Sequence, residues 1–442
     1  MRVPRGSALH RPVGVLLIGA LLAVLAIFVV SSGAIEVFID ANRGAIQKIP
    51  IAVYTFKQGL ALNGQAPTEV LKADLRRSLL FEVADLEKLG IKGEVNSDPD
   101  PGAIQKAGAA GLAVQVWGSI LPRGRDAVME GTLYDFTRGE IVGGKRFIGS
   151  PEVIRYMAHR FADELVFHYT GEEGIARSRI AFVSQRGSAK ELFVMDYDGY
   201  NARQVTFDES LNLAPAWSPD KRRLVFVTYR EGDDPKIQEL DLTTGKRRTL
   251  VSFLGLNITP EWAPNGEEMV FATTKDGNAE IYKVDKDGKR FERLTNHRAA
   301  DLAPTWSPTA REIAFTSDRG GTPQIYLMSA DGTNVRRLTF EGSYNTAPVW
   351  SPKGKWIAYV CRDDRRFLKI CLISPDGQER QLLTSGSSND ESPSWSPDGR
   401  HVAFSSTRSG KRDIYIINVD GTGLERLTAN GAFNDDPAWS LP

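Results

Sequence analysis

Cysteine is close to absent from this sequence. Cys361 and Cys371 are the only two in 442 residues, too few for a fold held together by a disulfide framework. Histidine is almost as scarce, with five in the chain, and His159, His168, His297 and His401 show no metal-ligand spacing. Net charge is missing as well: 55 basic residues balance 55 acidic ones, which argues against wholesale nucleic-acid binding. The motifs of chemistry are also lacking. There is no G-x-S-x-G elbow, no H-E-x-x-H, no phosphate-binding loop and no C-x-x-C pair, and no histidine is offered as a base to a nucleophilic Ser or Cys. The expectation is a chain with no catalytic residues, no metal ligands and no cofactor.

Long hydrophobic runs are absent with one exception. Arg2, Arg5 and Arg11 precede an unbroken apolar run from Val13 to Val30, followed by Ser31-Ser32-Gly33-Ala34. Small residues at minus three and minus one of a cut after Ala34 read as a secretory signal peptide over 1–34. A retained membrane anchor is the alternative, since eighteen apolar residues reach the lower limit for a spanning helix. Either way the remainder lies outside the cytoplasm, where the two cysteines are free to pair. Both fall in one predicted hairpin, at the positions of Ser317 and Tyr326 in the preceding repeat. Those sites need not face each other, so a disulfide and two packed thiols both stand.

What the sequence does have is repetition. Trp217, Trp262, Trp306, Trp350, Trp395 and Trp439 are spaced 45, 44, 44, 45 and 44 residues apart. After each of the first five come Ser or Ala, Pro and a polar turn. Alternating apolar strands follow, such as "RLVFVT", "EIAFTS" and "HVAFSS", then "IYKVD", "IYLMS" or "IYIIN". Tight turns come next at Asp198-Gly199, Thr244-Gly245, Asp287-Gly288, Asp331-Gly332, Asp376-Gly377 and Asp420-Gly421. Each unit is thus a four-stranded antiparallel meander, the size of one β-propeller blade. The first unit, from "RIAFVS" at Arg179–Ser184, lacks a Pro-x-Trp strand ahead of it, and the last such strand, "PAW", has nothing behind it. Together they complete one blade, closing a six-bladed ring and removing an exposed sheet edge. The tryptophans read as blade-packing residues.

Ahead of the ring the pattern mixes helix and strand. Strands are expected at Ile49–Phe56, Gly111–Ile120 and Asp126–Phe136, and helices at Pro67–Phe81 and Pro151–His168. The second helix presents Ile154, Met157, Ala158, Phe161, Leu165 and His168 on one face, so His168 reads as a core histidine and the others as surface or loop residues. The fold class is therefore an α/β N-terminal domain (35–172) followed by an all-β six-bladed β-propeller (173–442), joined by a glycine-bearing hinge over 170–179. Residues 35–48, "IEVFIDANRGAIQK", stand apart as a polar segment with a short alternating apolar start. As a free arm it docks only where new contacts offset about 1–2 kcal/mol of backbone entropy per residue.

The candidate contact residues lie in the ring. Asn212, Asn257, Asp301, Asn345, Asp390, Glu391, Asp435 and Asp436 all come shortly before the inner Pro-x-Trp strands. Such connections gather at one channel mouth, where they form a rim for a protein partner or a cation, or serve only as turn-forming polarity.

The order of parts, the segment "TGEEGIARSRIAFVS" and six units of the form PxWSPDGxxIAFxSxRxGxxxIYxxxxDGxxxRRLT resemble the TolB family, the periplasmic component of the Tol-Pal system of Gram-negative envelopes. The likeness spans essentially the whole chain after the signal peptide. Gly44, six residues before Pro50, matches the family's spacing. The resemblance implies a non-enzymatic, monomeric periplasmic binding protein, associated with the envelope only through its partners and serving outer-membrane invagination in division and envelope integrity. It implies that the arm, through Ile35, Glu36, Val37, Phe38, Ile39, Asp40 and Gly44, engages TolA, and that the propeller mouth binds the lipoprotein Pal. The rim departs from the family pattern at Leu256 and Leu302, where polar residues are usual, so the face carries over but individual Pal contacts do not. The alternative is an exported propeller enzyme, a metal-dependent hydrolase or a lactonase-like protein with a cation on the ring axis.

Overall fold

The computed structural model describes residues 48–61, 64–93 and 101–442. The expected signal peptide and the arm residues Ile35, Glu36, Val37, Phe38, Ile39, Asp40 and Gly44 lie outside them.

The first domain is built on β1 (Ile49–Val53), whose Ile51, Ala52 and Val53 are buried as a strand inside a sheet requires. After the two-residue β2 (Lys57–Gln58), α1 (Pro67–Arg77) opens on a proline whose missing N–H costs a helix nothing at that position. The helix was expected to reach Phe81. It stops earlier because Leu79 adopts φ 61°, which turns the chain into β3 (Phe81–Val83) beside β1. Then come α2 (Pro101–Ala109), β4 (Val114–Arg123), β5 (Asp126–Asp135) and β6 (Glu140–Gly149). The sheet runs β3-β1-β4-β5-β6, with β1 parallel to both neighbours and the last three strands antiparallel.

Helix α3 (Ile154–Thr170) covers this sheet, following a short turn at Pro151–Val153 and ending at Gly171, which has φ 70°. Gly131 on β5 lets it close in, since a Cβ there would stand 2.4 Å from the Phe161 ring. Ile154, Met157, Ala158, Phe161 and Leu165 face inward as expected. His168 does not. At 3.6 residues per turn the buried stripe drifts, so that Tyr169 takes the last inward position and His168 is exposed. The buried histidine of α3 is instead His159, which is 3% exposed.

The segment expected to be a hinge is pinned. Asp163 accepts from the Ala176 N–H at 2.8 Å and from Arg177 Nε at 2.6 Å, and Ile175, Ala176 and Ser178 are buried.

Six four-stranded sheets form the ring, each in simple meander order. Five are continuous in sequence, and the sixth joins Asn434–Trp439 to β7 (Arg179–Arg186), β8 (Ala189–Asp196) and β9 (Arg203–Gln204). The closing strand pairs Asn434 with Ser184 and Trp439 with Ile180. Each blade packs its tryptophan against the blade before it. Trp262 sits with Val225, Val227 and Ile237, and Trp306 with Val270, Ala272 and Ile281. Trp217 and Trp395 also donate Nε1–H to the carbonyls of Ala438 and Val349 on the preceding blades.

Cys361 and Cys371 are bonded, with Cα atoms 5.9 Å apart. The register opposes Cys361 to Lys369 and Tyr359 to Cys371, so the two cysteines lie diagonally on one face of the hairpin and the bond spans that diagonal.

Trp306→Ala is expected to lower the unfolding free energy by about 3–5 kcal/mol, because it empties an interblade core without a neighbour free to fill it. A denaturant titration checks this; an unchanged midpoint would contradict the packing role.

Candidate functional site

The innermost strands are Asn212–Trp217, Asn257–Trp262, Asp301–Trp306, Asn345–Trp350, Asp390–Trp395 and Asn434–Trp439. All six break register at the same place. Ala214, Thr259, Ala303, Ala347, Ser392 and Asp436 take φ values of 46–53°, and each precedes a proline. A proline has no N–H to give the ladder, and a bulge is where a strand tolerates it. The bulges give the ring a lining of these six residues, their prolines and the tryptophans, around a cavity of about 530 Å³.

Two carboxyls interrupt this mostly apolar wall. Glu261 accepts from Thr305 Oγ1 at 2.9 Å and from the Trp306 N–H at 3.0 Å, and burial pushes its pKa up to about 7. Asp436 accepts from Ser392 Oγ at 2.8 Å, and burial, reinforced by the charge of Asp435, raises it to about 6.

Each inner strand runs from its Asn or Asp end at one mouth to its Trp end at the other. The α/β domain docks at the Trp end. Lys353 and Arg400, in the turns after two of the tryptophans, reach Glu172, while Arg77 pairs with Glu425 and Arg155 with Asp198. The Asn/Asp mouth is therefore the one turned away from the α/β domain.

At that open mouth the expected rim divides. Asn212, Asn257, Asp301, Asn345 and Asp390 are buried, at 0–1% exposure, and form clasps to their own blade or to the blade before it. Asn212 and Asn345 donate to Glu191 and Gln324 on the preceding blade, at 2.9 and 2.8 Å. Asn257 donates to the carbonyls of Phe253 and Pro235. Asp301 receives both contacts from Arg319, and Asp390 is held by Arg408 and by Lys369, itself fully buried. An amide stands where the preceding blade offers an acceptor and a carboxylate where a cation reaches it, while Oδ1 of Asn212 and of Asn345 stays buried without a hydrogen-bond partner. Glu391 and Asp435 are half-buried and share Arg412, at 2.6 and 3.0 Å; Asp436 turns into the channel.

The apolar residues that meet solvent at this mouth flank the clasps. Leu211, Leu254 and Leu256 are exposed, Leu254 at 82%, and Leu213, Ile258, Leu302, Tyr344 and Phe433 are half-buried around the same edge. The exposed leucines thus lie at the first two blades and the carboxylate–arginine cluster at the last two. The signal was present in the sequence: Leu211-Asn212, Leu256-Asn257, Tyr344-Asn345 and Phe433-Asn434 each place a large apolar residue directly before the clasp.

Among the described residues, an α/β domain seated on one face of a six-bladed propeller, with the other face uncovered and rimmed by apolar side chains, defines a two-domain propeller protein. Comparison with known proteins narrows this. The family description "TolB beta propeller domain" matches residues 167–442 and "TolB amino-terminal domain" matches 37–142. The chain belongs to the TolB family. It is 35% identical to the Tol-Pal system protein TolB of Polaromonas naphthalenivorans over 219 residues, 49% of each chain. To that of Methylobacillus flagellatus it is 37% identical over 223 residues, 49% of this chain and 50% of the relative. The chain thus spans about half the length of the curated relatives it matches. The solved structure of TolB from Acinetobacter baumannii superposes with a TM-score of 0.76 at 29% identity, covering 90% of this chain and 97% of the other.

The channel carboxyls give a pH signature. The folded state holds the Glu261 proton up to about pH 7, whereas an unfolded chain releases it near pH 4–5, so this group removes stability as pH rises between those values. Glu261→Gln keeps an oxygen acceptor for Thr305 and cannot ionise. It should be more stable than the parent at pH 8, by on the order of 1 kcal/mol after screening by channel water, and indistinguishable at pH 4. Melting curves across that range check it; parallel pH profiles would contradict the assignment.

Proposed function

We propose that this chain is a periplasmic, non-enzymatic adaptor of the Tol-Pal system, exported by its first 34 residues. It binds the inner-membrane-anchored TolA through residues 35–48 and the lipoprotein Pal through the open mouth of the ring. The observation that carries the reading is the two-faced ring: one face is occupied by the α/β domain and the other presents exposed apolar side chains over a mouth with no catalytic motif in the sequence. Solvent-exposed leucines at a channel mouth are the composition expected of an interface core, with the Glu391, Asp435 and Arg412 cluster as its polar rim. Family membership supports the choice of partners, since the relatives are named as Tol-Pal system proteins.

In this reading the arm and the mouth are two sites on one body, and binding at one changes affinity at the other by a coupling free energy of the usual 1–3 kcal/mol. The role that follows is to link the inner membrane's energised partner to the peptidoglycan-associated lipoprotein during envelope constriction.

The test is a pull-down with purified Pal and the periplasmic part of TolA against immobilised residues 35–442. The chain should retain both. Deletion of 35–48 should abolish TolA retention and keep Pal, and Leu254→Asp with Leu256→Asp should weaken Pal at least tenfold and leave TolA unchanged. Retention of neither partner by the intact chain would overturn the proposal.

A further inference from the structure

Among the described residues a single cluster gathers three side chains with metal-ligating atoms within 4.8 Å: Asp74, His159 and Asp198, all buried. They come from three elements, α1, α3 and the turn after β8, so the cluster spans the contact between the α/β domain and the ring. Asp198 is already occupied. Arg155 bonds it directly, with its guanidinium over the Tyr200 ring, and Arg77 stands 4.0 Å away. Two guanidiniums beside one carboxylate oppose a dication there.

The histidine is the unsettled member. Its Nδ1 lies 2.8 Å from Asp74 Oδ2, whose other oxygen accepts from the Tyr197 hydroxyl at 2.5 Å. Its Nε2 is buried without a hydrogen-bond partner and points at Asp198 Oδ2, 3.8 Å away. A neutral imidazole with its proton on Nδ1 satisfies Asp74 and turns a lone pair toward the second carboxylate. A doubly protonated ring has a donor for each.

Charge favours the second form. Around the ring stand Asp74 and Arg77 from α1, Arg155 from α3, Asp198 from the propeller, and Glu425, which pairs with Arg77. Three carboxylates face two guanidiniums, and an imidazolium supplies the missing cation. The remaining charged neighbours are otherwise engaged: Asp163, one turn along α3, is bound by Arg177, and Asp196 accepts from Asn201. Tyr197 contacts the ring edge-on at 5.8 Å between centroids. Desolvation lowers the affinity of His159 for its proton, but the bond and charge of Asp74 and the charge of Asp198 outweigh it, so its pKa stands above the ordinary histidine value.

We propose that His159 is a proton-operated bolt between the α/β domain and the propeller: when protonated it bridges Asp74 to Asp198, and when deprotonated it releases Asp198 and loosens the seat of the α/β domain on the ring. The sign follows from the direction of the shift. Docking is strongest below the unfolded histidine pKa and weakens as pH rises through the higher folded value. A movement of roughly 1 Å brings Nε2 to the ~2.8 Å of a charge-assisted bond. Each unit by which the bolt raises the pKa makes the domain contact about tenfold tighter at low pH than at high pH.

The experiment uses the intact chain from residue 35, labelled with ¹³C,¹⁵N-histidine. The His159 ring should titrate above 6.5, and hydrogen exchange of residues 67–78, 154–163 and 196–200, corrected for intrinsic rates, should lose at least tenfold protection across that titration. Propeller-core amides such as 313–317 should not change. In Asp198→Asn the His159 pKa should fall, and in His159→Gln the interface protection should lose its pH dependence. A His159 pKa at or below 6.5 in the unsubstituted chain overturns the proposal, as does interface protection that ignores the titration. The titration of the unsubstituted chain decides the matter even if a variant does not fold.

Discussion

Everything in this structure depends on one pairing of strands that the chain makes last. Asn434–Trp439 lies against β7, and the junction is sealed from both sides: the Ser440 N–H donates to the Arg179 carbonyl, the Arg179 N–H to Ser440 Oγ, and Trp439 Nε1 to Ser178 Oγ. The partners are 261 residues apart. Closing a loop of that length costs about 5 kcal/mol in chain entropy, more than a few ladder hydrogen bonds return at about 1 kcal/mol each. What offsets it is the burial in the closed ring: Trp439 is buried, Ala438 packs against Ala181, Val194 and Leu224, and every blade has a neighbour on both sides. The closing strand also covers the edge of β7, so that each blade presents to the channel only a short, bulged inner strand.

Closure also decides where function lies. Six identical bulges, each set by a residue with positive φ before a proline, shape the channel lining, and the direction of the inner strands gives the ring two unlike mouths. The turn-bearing mouth takes the α/β domain through ion pairs and the Asp74–His159–Asp198 cluster. Among the described residues, the other carries exposed leucines. In the proposed reading the open face and the arm serve two partners, and the fastening between α/β domain and ring is the element that would couple them.

Much of this was legible in the sequence and some was not, for identifiable reasons. Tryptophans at a constant spacing, with prolines and Asp-Gly turns in fixed places, reveal the repeat and its missing strand, because a blade cannot bury itself alone. The burial of Asn212, Asn257, Asp301, Asn345 and Asp390 was not legible from their position in polar connections. A polar residue at a loop's end is equally a contact or a clasp, and only the partner on the adjacent blade, such as Glu191 for Asn212 or Lys369 for Asp390, decides between them. The exchange of His168 for His159 has a different cause. A stripe counted in sevens drifts from a helix that turns every 3.6 residues, and His159 is buried by a propeller whose approach leaves no trace in the periodicity of α3. The cysteines show the same limit, since aligning strands by repeat does not reveal that a diagonal pair shares a face.

The most direct test of the closing strand as keystone is to remove it. A chain ending at residue 433, compared with the full-length protein by small-angle scattering and calorimetry, should lose its single cooperative transition and either expand or aggregate. A truncated chain that kept the same radius of gyration and melted at the same temperature would contradict the closed ring and the account of two faces built on it.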